Sequence, residues 1–351
     1  MNYAVVLAGG AGSRFWPVSR ESIPKQFLAI YSDRTLIEET IQRISPLIKK
    51  KNIYIATNRI HSRKIKDCLK AFDIPRGNFF FEPAGRNTLA PIAFFSAKIK
   101  GIHPQAVIAV MPSDHFIKNN RKYLRSLSRA IHLAQKGFIV TIGIRPSRPE
   151  TGYGYIKAKI GTGAKARGFF KVDKFIEKPT LAKAKKLVSD KNYFWNSGTF
   201  IFRADVMLEE IRKFSPVVYK AIMKMHSPKD INRLWRRLPS VSIDYAVMEK
   251  TGKAVLLPCD YGWLDLGHWK AMEELLRKDK EGNIFIGGKC IDVGSRSSLV
   301  WSDNRLVATI GLNNMIVVDT EDALLVCSKD KAQDVKKVVQ LLKAKKLKKY
   351  I

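Results

Sequence analysis

Over the first 145 positions, apolar residues gather in short unbroken runs: Tyr3 to Ala8, Asn52 to Thr57, Phe79 to Phe81, Val107 to Met111 and Phe138 to Ile144. Runs this short and this uniformly apolar predict strands covered on both faces. Between them the period changes. From Thr35 to Ile48, Ile37, Ile41, Ile44 and Ile48 recur at helical spacing behind Thr35 and Glu38, whose separation is that of a reciprocal capping box. Strand and helix in alternation predict a mostly parallel, doubly wound sheet. From Gly168 to Ala204 two strand-like runs, Phe169 to Ile176 and Gly198 to Phe202, flank a helix that Thr180 should cap, which adds mixed sheet to the same core. Beyond about Gly282 short strands follow in quick succession: Lys289 to Val293, Ser298 to Trp301, Leu306 to Ile310, Met315 to Val318 and Leu324 to Cys327. The division expected is an α/β domain over 1–280 and a β-rich domain over 281–351, closed by a Lys-rich helix from about Asp330 to Lys345.

Composition narrows the class. With 351 residues and 46% apolar content the chain is neither disordered nor fibrous, and at roughly 150 residues per domain about two domains are expected. No apolar run approaches the roughly 18 residues of a membrane span. The first strand runs straight into a glycine loop with no basic segment before it, so no secretory signal is read and a cytoplasmic location is expected. Cys68, Cys259, Cys290 and Cys327 form no C-x-x-C pair, and the six histidines form no H-E-x-x-H, which argues against a His/Cys metal centre.

The formal net charge of +32 is the electrostatic footprint of a nucleic-acid binder. Yet only the segment from Lys331 to Ile351, with eight Lys against one Asp, forms a patch. No RNP-type aromatic motif, zinc-finger spacing or basic region with heptads accompanies it. A solvated basic surface with no specific nucleic-acid partner is the expectation.

The glycine loop carries the first chemistry. Leu7-Ala8-Gly9-Gly10-Ala11-Gly12-Ser13 follows the first strand, where backbone N–H groups can face phosphates. The third glycine of a dinucleotide-binding fingerprint is missing, and no Walker A motif occurs in the chain. Arg14 and Lys25 place two cations close to this turn, suited to a polyphosphate. Asp114 ends the run from Val107 to Met111 at the carboxyl edge of the sheet. Two readings stay open for a lone Asp at that point: a carboxylate for a divalent ion, or a cap for the next helix.

Taken together, Leu7 to Arg20 (LAGGAGSRFWPVSR) and Pro24 to Leu28 (PKQFL) closely resemble the signature of the sugar-1-phosphate nucleotidylyltransferases, in particular their mannose-1-phosphate guanylyltransferase branch. Glu82 to Thr88, Pro112 to His115, Glu150 to Ile156, Phe175 to Pro179, Trp195 to Phe202, Ser242 to Lys250 and Gly262 to Trp269 resemble the other blocks of that family, in the family's order. The resemblance implies a Rossmann-like doubly wound mixed sheet, followed by a left-handed β-helix-like piece that can pair subunits, hence a homodimer. It implies attack by the phosphate of mannose 1-phosphate on the α-phosphorus of GTP, giving GDP-mannose and pyrophosphate with Mg²⁺. In that scheme Arg14 and Lys25 are catalytic. Leu7, Ala8, Gly9, Gly10, Gly12, Ser13, Glu82, Asn87, Thr88, Pro112 and Ser113 bind the nucleotide. Gly152, Tyr153, Glu177, Lys178 and Asn196 bind the sugar phosphate, and Asp114 and Asp265 hold the metal. The aromatic set Phe175, Tyr193, Phe194, Trp195, Phe200 and Phe202 is assigned to packing. Pro91 stands one place later than in the family pattern. Longer members carry a fused isomerase domain, and with about 70 residues after Gly282 a short, single-activity form is expected.

Overall fold

The computed structural model describes residues 1–10, 12–159 and 168–351. Packing gathers them into two compact units.

The first unit comprises Met1–Gly9, Thr40–Ser113 and Ile117–Trp263. Its nine strands are β1 (Asn2–Ala8), β2 (Ile53–Asn58), β3 (Phe79–Glu82), β4 (Val107–Pro112), β6 (Ile139–Ile144), β7 (Gly154–Lys159), β8 (Phe170–Glu177), β9 (Tyr193–Arg203) and β10 (Ala254–Cys259). They form one sheet in the order β3-β2-β1-β4-β9-β6-β10-β8-β7, with β7 also pairing β9. The pairs among β3, β2, β1 and β4 are parallel, as is β6 with β10, while β9, β8 and β7 run antiparallel to their neighbours. The uniformly apolar runs lie where both faces of the sheet are covered: Val5, Val6, Ile53 and Ile55 are fully buried. Between β1 and β6 the α-helices are α1 (Leu36–Ile44), α2 (Ser62–Cys68), α3 (Leu89–Ile102) and α4 (Asn120–Gln135). The expected capping box forms, Thr35 N–H donating to Glu38 at 2.8 Å and Glu38 N–H to Thr35 Oγ1 at 3.4 Å. The helix stops at Ile44, short of the expected Ile48, because Pro46 disfavours helical backbone in the residue before it. Thr180 caps Leu181–Ser189 as expected, accepting from Lys183 N at 3.4 Å.

One irregularity shapes the site. Thr141 pairs with Phe200 but Gly143 with Asn196, so β9 carries extra residues against β6, a bulge that contains Gly198 at φ 67°. Bulges of this kind re-aim side chains, and here the one re-aimed is Asn196. The sequence places this strand only from Gly198, whereas pairing with β7 draws in residues from Tyr193 onward.

The second unit comprises Gly10–Glu39, Asp114–Phe116 and Leu264–Ile351. This packing unit joins segments from both sides of the 280/281 position. Phe15, Trp16, Ile30 and Leu36 from the glycine-loop segment join Leu266, Trp269, Ile316, Val318 and Val335 in one core. Outside the nine-stranded sheet, β5 (His115–Ile117) and β11 (Trp263–Asp265) pair with each other. The later strands are β12 (Ile284–Gly287), β13 (Cys290–Val293), β14 (Leu299–Ser302), β15 (Val307–Ile310), β16 (Met315–Asp319) and β17 (Leu324–Ser328). β12, β14 and β16 stack in parallel, as do β13 and β15, and β17 joins β16 antiparallel. Pairing of each strand with the next but one is the coil of a β-helix. Buried Asn283 knits its turns, donating to Ser295 O and accepting from Ser298 N, each at 2.9 Å. The closing helix starts at Val335, later than expected, because Ser328 caps a 3-10 turn over Lys329–Asp334.

Candidate active site

In the second unit the glycine loop and the turn Lys25–Phe27 pack backbone to backbone. Gly12 sits at φ 61°, and a Cβ there would lie 2.5 Å from that of Lys25. Only glycine fits this position without displacing the lysine. Lys25 is 5% exposed, and its ammonium lies 2.8 Å from Asp114 Oδ2 and 3.5 Å from Asp265 Oδ1 while donating to the carbonyl of Leu266. Burial would lower its pKa, but the two aspartates outweigh that and raise it. Burial likewise acts to raise Asp114, and Lys25 and then His115 reverse the sign and hold it low. The result is a fixed ammonium flanked by two carboxylates from segments 151 positions apart. Asp114 does not cap the following helix: Asn119 does, accepting from Lys122 N at 2.9 Å. Ser13 and Arg14 form the 3-10 turn after Gly12, and Arg14 Nε is buried with no hydrogen-bond partner among the described residues. Such a donor needs an acceptor that the described residues do not supply, a role that water or a ligand oxygen can fill.

In the first unit β1 ends at Leu7 and Ala8, whose carbonyls accept from Ser113 N at 3.1 Å and Thr57 Oγ1 at 2.8 Å. Pro112 and Ser113 lie at the end of neighbouring β4. Gly9 stands beside Glu82, a Cβ there being 3.9 Å from Glu82 Oε1. Glu82 ends β3 and is buried, and that burial pushes its carboxyl up to about 7 against a hydrogen bond from the Arg86 backbone. Asn87 takes left-handed backbone, φ 58°, and its Oδ1 accepts from Thr88 N at 2.8 Å. The Thr88 hydroxyl is occupied by the backbone, accepting from Ile243 N at 2.9 Å. It therefore positions the segment before Asp244.

The other expected cluster of the first unit lies where β7, β8 and β9 meet. Gly154 is paired with Glu177, and a Cβ on Gly154 would come within 2.5 Å of Glu177 Oε2. The missing side chain is what lets the carboxylate lie against the strand. Lys178, exposed at φ 44°, pairs with Glu177 at 3.0 Å, and its N–H donates to Tyr153 O at 3.2 Å. Gly152 N donates to Glu150 Oε1 at 3.1 Å. Tyr153 packs edge-on to Trp195 and Trp263. Asn196 Nδ2 donates to Asp244 Oδ1 at 2.8 Å. Asp244, given no role in the sequence, opens a π-helical turn over Asp244–Met248, and desolvation first, then the charge of Glu177, raises its carboxyl to about 6. It lies in the family-like block Ser242 to Lys250, but its role depends on partners 48 and 67 positions away, which the block alone does not reveal. Of the aromatic set, Phe175, Phe194, Trp195, Phe200 and Phe202 are buried, as expected.

A mixed doubly wound sheet, a glycine loop ending its first strand, and a buried lysine held by two aspartates define a nucleotidyltransferase. Residues 3–282 match the Nucleotidyl transferase family, and 288–342 match the MannoseP isomerase/GMP-like beta-helix domain. The chain belongs to the Nucleotidyl transferase family and is an enzyme of that class. It is 39% identical to "Mannose-1-phosphate guanylyltransferase 2" of Escherichia coli O157:H7, over 99% of this chain and 75% of that protein. It is 39% identical to "Xanthan biosynthesis protein XanB" of Xanthomonas campestris, over 97% of this chain and 73% of that one. A crystal structure described as "mannose-1-phosphate geranyltransferase" from Thermus thermophilus superposes with a TM-score of 0.89 at 32% identity, covering 97% of this chain and 99% of that one. Among the described residues no helix is long and apolar enough to cross a membrane.

Proposed function

We propose that the enzyme transfers GMP from GTP to α-D-mannose 1-phosphate, releasing pyrophosphate and forming GDP-mannose. The observation that carries the reading is the Lys25–Asp114–Asp265 cluster together with the unpartnered Arg14 Nε. The attacking group is already an anion, so the step needs no protein nucleophile; it needs alignment and neutralisation of charge. Lys25 acts as a point charge beside the triphosphate. Arg14 supplies a planar donor fork to the departing pyrophosphate, and the backbone from Leu7 through Gly10, Gly12 and Ser13, with Pro112 and Ser113, lies along the nucleotide. Glu82, with the backbone at Asn87 and Thr88, faces the base, an acceptor suited to guanine N1–H and its amino group. Glu177 and Asn196 face the sugar hydroxyls beside Gly152 and Tyr153, and Lys178 meets the sugar phosphate.

Asp114 and Asp265 offer hard oxygen donors of the number Mg²⁺ takes from protein when substrate phosphates complete its shell, so the donor set fits that ion. When bound, it would neutralise charge on the phosphate oxygens. Two copies of the chain pair through the exposed apolar face of β13 and β15, where Ile291, Val293 and Ile310 are 56%, 58% and 76% exposed and Val293 stands opposite Ile310; Ile310→Glu should turn a dimer into a monomer in sedimentation.

The test is pyrophosphate release with Mg²⁺ over four nucleoside triphosphates against mannose, glucose and N-acetylglucosamine 1-phosphates, with Asp114→Asn as the blank. One dominant response at GTP with mannose 1-phosphate is expected. A dominant response at another pair would overturn the base or sugar assignment.

A further inference from the structure

Asp244 is the half-buried acid that the reaction above leaves without a task. It stands with Asn196 and Glu177, and the argument for it rests on the reading of those two residues as the hexose-facing side.

We propose that Asp244 is a positioning residue for the hexose phosphate: its carboxylate holds the Asn196 amide in one orientation, so that Asn196 and Glu177 together meet neighbouring hydroxyls of the sugar ring. An asparagine amide has two N–H donors and one oxygen, and either end can face a given partner unless the surroundings decide. Here both ends are decided. Asn196 Oδ1 accepts from Gly198 N at 3.1 Å and from Thr141 Oγ1 at 3.3 Å, and Nδ2 donates to Asp244 Oδ1 at 2.8 Å. One N–H of Asn196 is left by this count for a ligand oxygen. The bulge in β9 sets the backbone for the first contact and the π-helical turn sets it for the last.

The turn is itself fastened. Ile243 N donates to Thr88 Oγ1 at 2.9 Å, Leu89 N to Val241 O at 3.2 Å, and Glu249 N to Asp244 O at 2.9 Å. A carboxylate on a rigid turn, accepting a short bond from an amide, gives a stiffer anchor than a neutral acceptor would, because the charge strengthens the bond. The charged groups that face Asp244 are Glu177, which opposes its ionisation, and Lys178, which favours it. Glu177 also acts on Glu249. An amide donor beside a carboxylate acceptor, with Gly154 leaving the space open against Glu177, is complementary to two adjacent hydroxyls, each of which both donates and accepts.

Asp244→Ala removes the anchor, while Asp244→Asn keeps an acceptor oxygen in its place. The experiment measures KM for each substrate and kcat on the intact protein, with thermal melting in parallel, using the substrate pair that the wild-type grid identifies. The expected result is a rise of about tenfold or more in KM for the sugar 1-phosphate in Asp244→Ala. The KM for the nucleotide should stay within about twofold, the melting midpoint should hold, and Asp244→Asn should recover most of the loss. An unchanged sugar KM in Asp244→Ala overturns the proposal. So does a joint loss of kcat, both KM values and melting temperature, which marks a residue that only supports the fold. If the wild type prefers a pair other than GTP with mannose 1-phosphate, the substrate assignment fails while the Asp244 test runs unchanged on that pair. Silence of the wild type across the whole grid overturns both.

Discussion

Replacing Glu82 by Gln should make the protein more stable and its base selectivity worse. Glu82 is 7% exposed, and burial raises its carboxyl from 4.5 to about 7. At about 1.4 kcal/mol for each tenfold change in acid dissociation, holding this side chain ionised costs the fold about 3 kcal/mol. The folded state binds the proton more tightly than the unfolded one. The stability associated with it is therefore fully present below pH 4.5, declines between pH 4.5 and 7, and is absent above 7. Glutamine keeps an oxygen for the Arg86 N–H and has no charge to desolvate. In urea unfolding followed by tryptophan fluorescence, Glu82→Gln should match the wild type near pH 4.5 and exceed it by about 3 kcal/mol at pH 8.5. In the transferase assay the same variant should lose preference for GTP over ATP. The wild-type KM for GTP should rise as pH falls below about 7, and that rise should persist in the ratio of wild-type to variant KM, from which the nucleotide's own titration cancels. A variant no more stable than wild type at pH 8.5 would refute the desolvation argument. Retained GTP preference would separate Glu82 from the base.

Other substitutions test other parts of the site. Asp114→Asn and Asp265→Asn should each leave circular dichroism unchanged and abolish Mg²⁺-dependent turnover; a near wild-type rate in either would remove that residue from the metal assignment. Gly12→Ala puts a Cβ 2.5 Å from that of Lys25 at φ 61°, so turnover should fall by at least an order of magnitude, with about 1–2 kcal/mol of stability lost from the left-handed backbone alone; full activity would show that the loop can move aside. Lys178→Ala should chiefly raise KM for the sugar phosphate, and an effect confined to the KM for GTP would place it elsewhere.

What could be read from the sequence was local. The Thr35–Glu38 box, most of the strand-like runs and the Thr180 cap each depend on residues within a few positions and stand where they were expected, whereas β9 begins five residues ahead of its run. The misplaced ends have equally local causes, Pro46 after Ile44 and Ser328 before the closing helix. β12 was missed because Gly287 and Gly288 follow so closely that the segment reads as a turn, although Gly287 uses φ 85° to leave the strand. The site was legible where residue type alone is telling, in the glycine loop and its cations. Asp114 and Asp265 were legible only through the family blocks that contain them, and their pairing with Lys25, like the Asn196–Asp244 bond, was not, because these contacts join segments far apart in the chain.

The reversal at the end of the β-helix also limits how the molecule can grow. β12, β14 and β16 all run one way, and a stack of like-directed rungs offers its open end as a template on which a further rung can add. β17 turns back across β16 in register from Met315–Ser328 to Asp319–Leu324, so the last rung presents the wrong polarity to any copy arriving in the same sense. The parallel coil of this chain therefore ends at β16, and the edge that β17 leaves runs opposite to the rungs behind it, so a further rung laid on it in the same sense as β12, β14 and β16 would have to pair antiparallel.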